Sequence, residues 1–194
     1  METIKKLKEY AKINHVPVVR NNTLVHLLKL VDNPLVFNIL EIGTAIGYSG
    51  ICMLNANKNA ILTTIEINPE MANIAKQNFA DFNLLNRVEL ILGDAKTVLE
   101  NLVKKNQKFD IIFLDGPKGQ YVKYLKIIEE LMTKRSVLFA DNIFIGEGLT
   151  NKHNTIKHRL AEFIEIINKP PFISEVFTVD EGYAIIKLAE EINN

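Results

Sequence analysis

In this chain of 194 residues, three acids stand at matching places, each at the end of a short apolar run. Glu41 leads into a glycine turn, Gly43-Thr44-Ala45-Ile46-Gly47-Tyr48-Ser49. Glu66 ends the next apolar run, roughly twenty residues on, where an acid can accept hydrogen bonds from ribose hydroxyls. Asp94 follows Gly93 after a third run, where it could meet an adenine amino group. Glycines at Gly43 and Gly47 let the backbone turn sharply and bring the N-terminus of the next helix close to a ligand. The spacing is G-x-x-x-G, not the G-x-G-x-x-G of dinucleotide binders. A carboxylate two residues before the first glycine would repel a pyrophosphate; it suits a cationic amino-acid tail such as that of S-adenosylmethionine (SAM). Singly, Glu66 and Asp94 read as solvated loop acids. Three acids at the ends of three successive strands read as a cofactor site, because ligands of open α/β sheets bind at those carboxyl ends.

A second set follows. Asp115 comes after four apolar residues, and Asp141-Asn142 after another apolar run. Two carboxylates and an amide, with no His or Cys nearby in sequence, are hard oxygen donors suited to Mg²⁺ (or Mn²⁺) rather than Zn²⁺. Taken alone, Asp115 could be a helix N-cap and Asp141-Asn142 a turn. Lys118, three residues past Asp115, reaches the same cavity. Near a divalent cation a lysine loses part of its preference for the charged form and can serve as a general base; otherwise it holds a substrate anion.

The elements that must position these residues alternate. Apolar runs at 36–43, 60–67, 87–94, 109–116 and 136–142 read as strands. Helical patterns lie between them at 47–57, 69–81, 95–105, 119–134 and 153–168, with Pro69 suited to a first helical turn. This rhythm predicts an α/β fold: a doubly wound, Rossmann-like, mostly parallel sheet covered on both faces. The end of the chain departs from it, since 171–179 and 182–189 with Asp180-Glu181 between them read as an antiparallel hairpin at one edge. Residues 1–32 read as a helical N-terminal extension broken near Pro17. No repeat or linker divides residues 1–194, which are expected to form one domain. The formal net charge is zero, so the total does not argue for a polyanion-seeking protein, although a local basic patch can act as one. The single cysteine, Cys52, excludes an intramolecular disulfide and reads as a small buried helix residue. No run reaches the roughly 18 apolar residues of a membrane span. The charged N-terminus lacks a signal-peptide core, so a cytoplasmic location is expected.

The set LEIGTAIGYSG, TIEINPE, GDA, FLDGPKGQY and ADN resembles the metal-dependent O-methyltransferase family that includes catechol and caffeoyl-CoA methyltransferases. The resemblance covers residue 36 to the end and implies seven strands, the last antiparallel. It implies that Glu41, Gly43, Tyr48, Ser49, Glu66, Asp94 and Asp115 surround SAM. It further implies that Asp115, Asp141 and Asn142 hold Mg²⁺, with Lys118 as the candidate base. Within the family, NHVPVV (14–19), EIGTAIGYS (41–49) and KGQY (118–121) resemble the bacterial enzymes that methylate 5-hydroxyuridine at the tRNA wobble position, giving 5-methoxyuridine. Gly116-Pro117 departs from the two small residues expected there and stiffens the loop bearing Lys118.

On that resemblance the partner is a tRNA anticodon loop, and the C5 hydroxyl with the C4 carbonyl would chelate one metal ion as a catechol pair would. Lys152, His153, Lys157, His158 and Arg159 could then join Arg20, Lys118 and Lys123 in a basic rim, unless they simply solvate a helix. The flipped base requires an aromatic or apolar wall that the sequence does not identify. A small catechol or phenol is the alternative acceptor. A nucleotide-dependent oxidoreductase is opposed by the missing central glycine and by Glu41; a binding module with a dead site is opposed by the complete residue set. Apolar faces on the N-terminal helices and the terminal hairpin suggest a homodimer.

Overall fold

The computed structural model describes residues 2–144 and 151–189. Two helices come first, α1 (Glu2–Ile13) and α2 (Asn21–Val31). The break between them contains a left-handed His15, after which the Val16 amide bonds back to Ala11 O to close α1, and Pro17, which lacks the N–H to continue a helix. Five strand–helix units follow. They are β1 (Asn38–Ile42) with α3 (Tyr48–Ala56), β2 (Ile61–Glu66) with α4 (Pro69–Asp81), and β3 (Val88–Leu92) with α5 (Ala95–Lys104). Then come β4 (Ile111–Leu114) with α6 (Tyr121–Leu131) and β5 (Val137–Asp141) with α7 (Asn151–Ile167). The chain finishes in β6 (Phe172–Phe177) and β7 (Tyr183–Leu188). Pro69 opens α4 as expected, and Asn68 Oδ1 accepts from the Glu70 amide at 2.8 Å.

The seven strands form one sheet in the order β3-β2-β1-β4-β5-β7-β6, with β7 antiparallel to both neighbours and the rest parallel. The strand order reverses between β1 and β4, which places a ligand crevice outside their carboxyl ends. The terminal hairpin is present, but its second strand lies inside the sheet and its first forms the edge. Burial explains this choice: Tyr183, Ala184 and Ile186 of β7 are enclosed, whereas Ile173 of β6 is 60% exposed.

Side chains alternate across the sheet, so each strand feeds two cores. Ile39, Leu62, Phe113 and Phe139 pack under α1 to α4. Leu40, Ile42, Ile65 and Leu138 pack under α5 to α7, meeting Leu99, Leu125 and Phe163. Tyr183 extends the first core toward the extension: its ring stacks on Phe139 and Phe177 at 4.7 Å, and its hydroxyl lies 2.6 Å from His26 Nδ1. Asp180, in the β6–β7 turn, caps α2 from a distance. Its carboxylate accepts from Asn22 Nδ2 at 3.3 Å, the Thr23 amide at 3.4 Å and Thr23 Oγ1 at 3.2 Å. The helix thus obtains a cap that its own Arg20 does not supply. Among the described residues no helix is long and apolar enough to cross a membrane.

The fully enclosed Phe79 of α4 supports the glycine turn from below, with its ring 3.1 Å from where a Cβ on Gly47 or Gly50 would stand. Phe79→Ala should lower stability by about 3–5 kcal/mol. Thermal unfolding should show a midpoint roughly 10 °C lower at 2–4 °C per kcal/mol; a shift under a few degrees would mean that α4 collapses onto the vacancy.

Candidate functional site

A cleft of about 1660 Å³ opens at the carboxyl ends of β1 to β4. Its floor contains Ile42, Gly43, Ala45, Glu66, Gly93, Asp94, Asp115 and Lys118, so most of the residues expected from sequence meet in one cavity. Gly43, at φ +105°, presses against the first residue after β4: a Cβ there would overlap the Asp115 carbonyl oxygen. The Asp115 amide donates to Ile42 O at 3.0 Å, and the Gly43 and Thr44 amides both donate to Ile65 O. Three strand ends are thereby drawn together.

Glu66 organises this floor. Its Oε2 accepts from the Ala45 amide at 2.8 Å, and its Oε1 accepts from the Ile67 and Asn68 amides at 3.0 and 2.9 Å. Three main-chain donors fill most of the carboxylate's roughly four lone-pair sites, leaving room for one further donor such as a ribose hydroxyl. Asp94 is the N-cap of α5, with Oδ1 accepting from the Thr97 amide at 3.1 Å and from Thr97 Oγ1 at 3.3 Å. It therefore fixes a helix start while still lining the cleft.

At the β4–β5 end, Lys118 Nζ donates to Asp115 Oδ1 at 2.7 Å and to the Tyr121 hydroxyl at 3.0 Å. Tyr121 is fully buried, and its hydroxyl lies within hydrogen-bond distance of the main-chain oxygens of Leu114 (3.1 Å) and Asp141 (2.9 Å), joining the ends of β4 and β5. Burial first, then the charges of Asp115 and Asp141, push the Tyr121 hydroxyl well above its ordinary pKa, so it stays protonated. Asp141 is only 2% exposed, and burial followed by the charge of Asp115 pushes its carboxyl up to about 7. Asn142 has a left-handed backbone, φ 52°, a conformation asparagine tolerates better than most residues. Its side-chain Nδ2 donates to Glu181 Oε2 at 2.7 Å, its main-chain N–H donates to Asp141 Oδ1 at 2.8 Å, and Glu181 Oε1 pairs with Arg20.

Could this corner hold a cation? Among the described residues no group of three or more His, Cys, Asp or Glu gathers for a metal. The expected set has two carboxylates and one amide, and Lys118 pairs with Asp115 alone. Asp141 is a buried carboxylate whose pKa is raised by burial and then by the charge of Asp115, against the opposing pull of the Asn142 amide and Lys118. A hard divalent cation fits this donor set.

Other expectations need correction. Glu41, Tyr48 and Ser49 were expected to face the cofactor and Asp141 a metal, but none of the four lines the cleft; Asp141 is buried just behind Asn142, which does. On β1, Glu41 alternates with Leu40 and Ile42 and shares the face of Ile39, which is covered by α3. It is 0% exposed and accepts from Ser49 Oγ at 2.5 Å and Thr64 Oγ1 at 2.7 Å, so it braces the turn from behind. Lys123, Lys157 and Arg159 also do not line the cleft; Lys157 is exposed, and Arg159 pairs with Glu162 at 3.0 Å. Leu160, Phe163 and Ile167 seat α7 in the core beneath the sheet, which leaves Lys157 and Arg159 on its outer side. The side chains of Lys152 and His153, and the segment joining Phe144 to α7, lie outside the described residues.

Three features of the cleft were missed. Lys5, Lys6, Lys8 and Lys12 of α1 form its lip, Val16-Pro17-Val18 form an apolar wall, and Glu181 closes the Asn142 side. The wall was visible as a quoted motif. The lip was not, because only the docking of α1 brings it there.

Comparison with known proteins agrees with this arrangement. The model of a family described as O-methyltransferase matches residues 1–188. A catechol O-methyltransferase from Niastella koreensis is 34% identical over 120 residues, 61% of this chain and 54% of that protein. The chain spans about half the length of the curated relatives it matches. A Staphylococcus aureus crystal structure named for caffeoyl-CoA O-methyltransferase superposes with a TM-score of 0.87 at 32% identity, covering 96% of this chain and 92% of that one. The Bacillus cereus O-methyltransferase, solved with SAH, superposes at 0.84 with 26% identity, covering 97% and 91%.

Burial, opposed by the Ser49 and Thr64 hydrogen bonds, raises the Glu41 carboxyl from 4.5 to about 7. Between those values the folded chain keeps a proton that the unfolded chain has lost. This group therefore lowers stability as pH rises through the window and has no further effect above it. The full loss is on the order of 3 kcal/mol. Glu41→Gln keeps the shape, and both hydroxyls can rotate to suit the amide. Urea midpoints at pH 5 and pH 8 should differ less in the variant than in the wild type; equal differences would mean that Glu41 is already ionised when folded.

Proposed function

Since the chain belongs to the O-methyltransferase family, we propose that it moves the methyl group of SAM to a hydroxyl oxygen with a divalent cation, Mg²⁺ or Mn²⁺, beside the acceptor. The observation that carries this reading is the single cleft in which the Gly43 turn, Glu66 and Asp94 adjoin Asp115, Lys118 and Asn142. Glu66 and Asp94 would meet the ribose and adenine, and the Gly43 turn would accommodate the amino-acid end. Asp115, Asp141 and Asn142 would hold the cation, which would lower the pKa of the acceptor hydroxyl and orient its oxygen. In the transfer the sulfur–carbon bond breaks as the oxygen–carbon bond forms, and the hydroxyl proton must leave. Lys118, whose ammonium lies 2.7 Å from Asp115 Oδ1, is the candidate acceptor for that proton. Tyr121 and Asp115 hold Lys118 in place.

The acceptor in this reading is 5-hydroxyuridine at the tRNA wobble position. Two features support it: the cleft exceeds the roughly 300–1,000 Å³ usual for sites enclosing one small ligand, and Val16-Pro17-Val18 offer an apolar wall to an extruded base. A small catechol is the second reading, favoured by the relatives named for that substrate.

Purified protein with SAM and Mg²⁺ would be given tRNA carrying 5-hydroxyuridine in one tube and a catechol in another, with chelator controls. Mass spectrometry should show one methyl gained on the wobble nucleoside, abolished by chelator. Methylated catechol beside untouched tRNA would move the acceptor to the small-molecule class, and undiminished transfer in chelator would remove the metal. Asp141→Asn should lower turnover by about 100-fold or more while SAM affinity, read by calorimetry, changes little, as expected when a transition-state contact is lost.

A further inference from the structure

We propose that α1 is a phosphate track: its lysine row holds the sugar–phosphate backbone of an RNA strand while the target base enters the cleft along Val16-Pro17-Val18. This inference rests on the RNA reading of the acceptor.

The charge of the chain is zero overall, yet it is sorted around the cleft. The floor and the Asn142 side carry Glu66, Asp94, Asp115 and Glu181 against Lys96 and Lys118, the latter paired with Asp115. The lip contributed by α1 carries Lys5, Lys6, Lys8 and Lys12 against Glu9 alone. Helix geometry explains the sorting. Leu7 and Ala11, one turn apart, are buried at 7% and 1% and fasten α1 to the first core. Lys5, Lys8 and Lys12 follow at three- and four-residue steps on the adjoining stripe, with Lys5 and Lys12 exposed and Lys8 half-buried, its ammonium donating to Asn21 Oδ1. At 1.5 Å per residue the row extends about 10 Å along the helix, long enough to follow a strand rather than clasp one anion.

The chemistry of the row points the same way. Lysines are mobile point charges without the guanidinium fork, suited to sequence-independent phosphate contact. Arg20, which follows α1 in the chain and also lines the cleft, is tied to Glu181 and so marks the inner limit of the track. With the phosphates held at the lip, the uncharged base is the part of the strand that enters the cleft.

The test uses the full chain, its triple variant Lys5→Gln, Lys8→Gln, Lys12→Gln, and a fluorescent anticodon stem-loop RNA without hydroxyuridine. Anisotropy titrations across a salt series should show the variant at least 10-fold weaker near 0.1 M salt. Its dependence of log K on log salt should be shallower by about 2, since each single-strand phosphate contact contributes about 0.7. SAM affinity and the thermal midpoint should stay as in the wild type, which excludes misfolding. RNA affinity and salt slope unchanged in the variant would overturn the track, as would their loss in Lys157→Glu, Arg159→Glu instead. Displacement of RNA by equimolar inorganic triphosphate would also overturn it, in favour of a compact polyanion. Loss of binding in the variant, combined with no methyl transfer to tRNA by the wild type, would leave the track standing while the 5-hydroxyuridine reading fails.

Discussion

At the reversal point of the sheet, the turn after β1 meets the end of β4 with no room for a side chain between them. Gly43 lies against the Asp115 carbonyl, and a methyl group there would overlap it. Its φ of +105° is a second demand that only glycine meets without strain. This contact makes one site from two halves. The Ile42–Asp115 hydrogen bond and the two amides on Ile65 O hold three strand ends in register, so Glu66, Asp94, Asp115 and Asn142 open into a common cleft. Without the close approach, Glu66 and Asp115 would belong to separate loops.

The acids of this protein serve the fold and the site together. Glu66 secures three main-chain amides, Asp94 starts α5, Asp180 caps α2, and Glu181 joins Asn142 to Arg20. Each is a local satisfaction of donors that would otherwise lack partners. Two acids have a different character. Glu41 and Asp141 are buried with their pKa values raised to about 7, so both destabilise the fold when ionised. Glu41 accepts from the Ser49 and Thr64 hydroxyls behind the glycine turn, whereas Asp141 accepts from the Asn142 main-chain amide at the end of β5.

Much of this was legible from residue order. Five apolar runs separated by helical patterns gave the alternation, and the runs ending in Glu66, Asp115 and Asp141 marked the carboxyl edge. The terminal hairpin was legible as well, though not which of its strands would enter the sheet. That choice depended on how much of each strand the α7 and α2 sides would cover. The burial of Glu41 follows from its parity on β1, which its position two residues before a glycine does not reveal. An odd-numbered residue there faces α3, as Ile39 does, and cannot reach the cleft.

The sequence by itself determined the local patterns: strand and helix periods, the glycine turn, the proline break near Pro17, and the order in which acids meet strand ends. These depend on neighbours a few residues apart, and the chain states them directly. Only the tertiary structure decided which charges share the cleft. The basic residues of α7 were chosen for its rim from their proximity along the chain, yet α7 docks with Leu160, Phe163 and Ile167 inward and leaves Lys157 and Arg159 outside. The lysines of α1, more than a hundred residues from Asp115 in sequence, stand at its mouth instead. Electrostatic neighbourhood is set by which helix face the core buries, and that is a property of packing between distant segments rather than of sequence order.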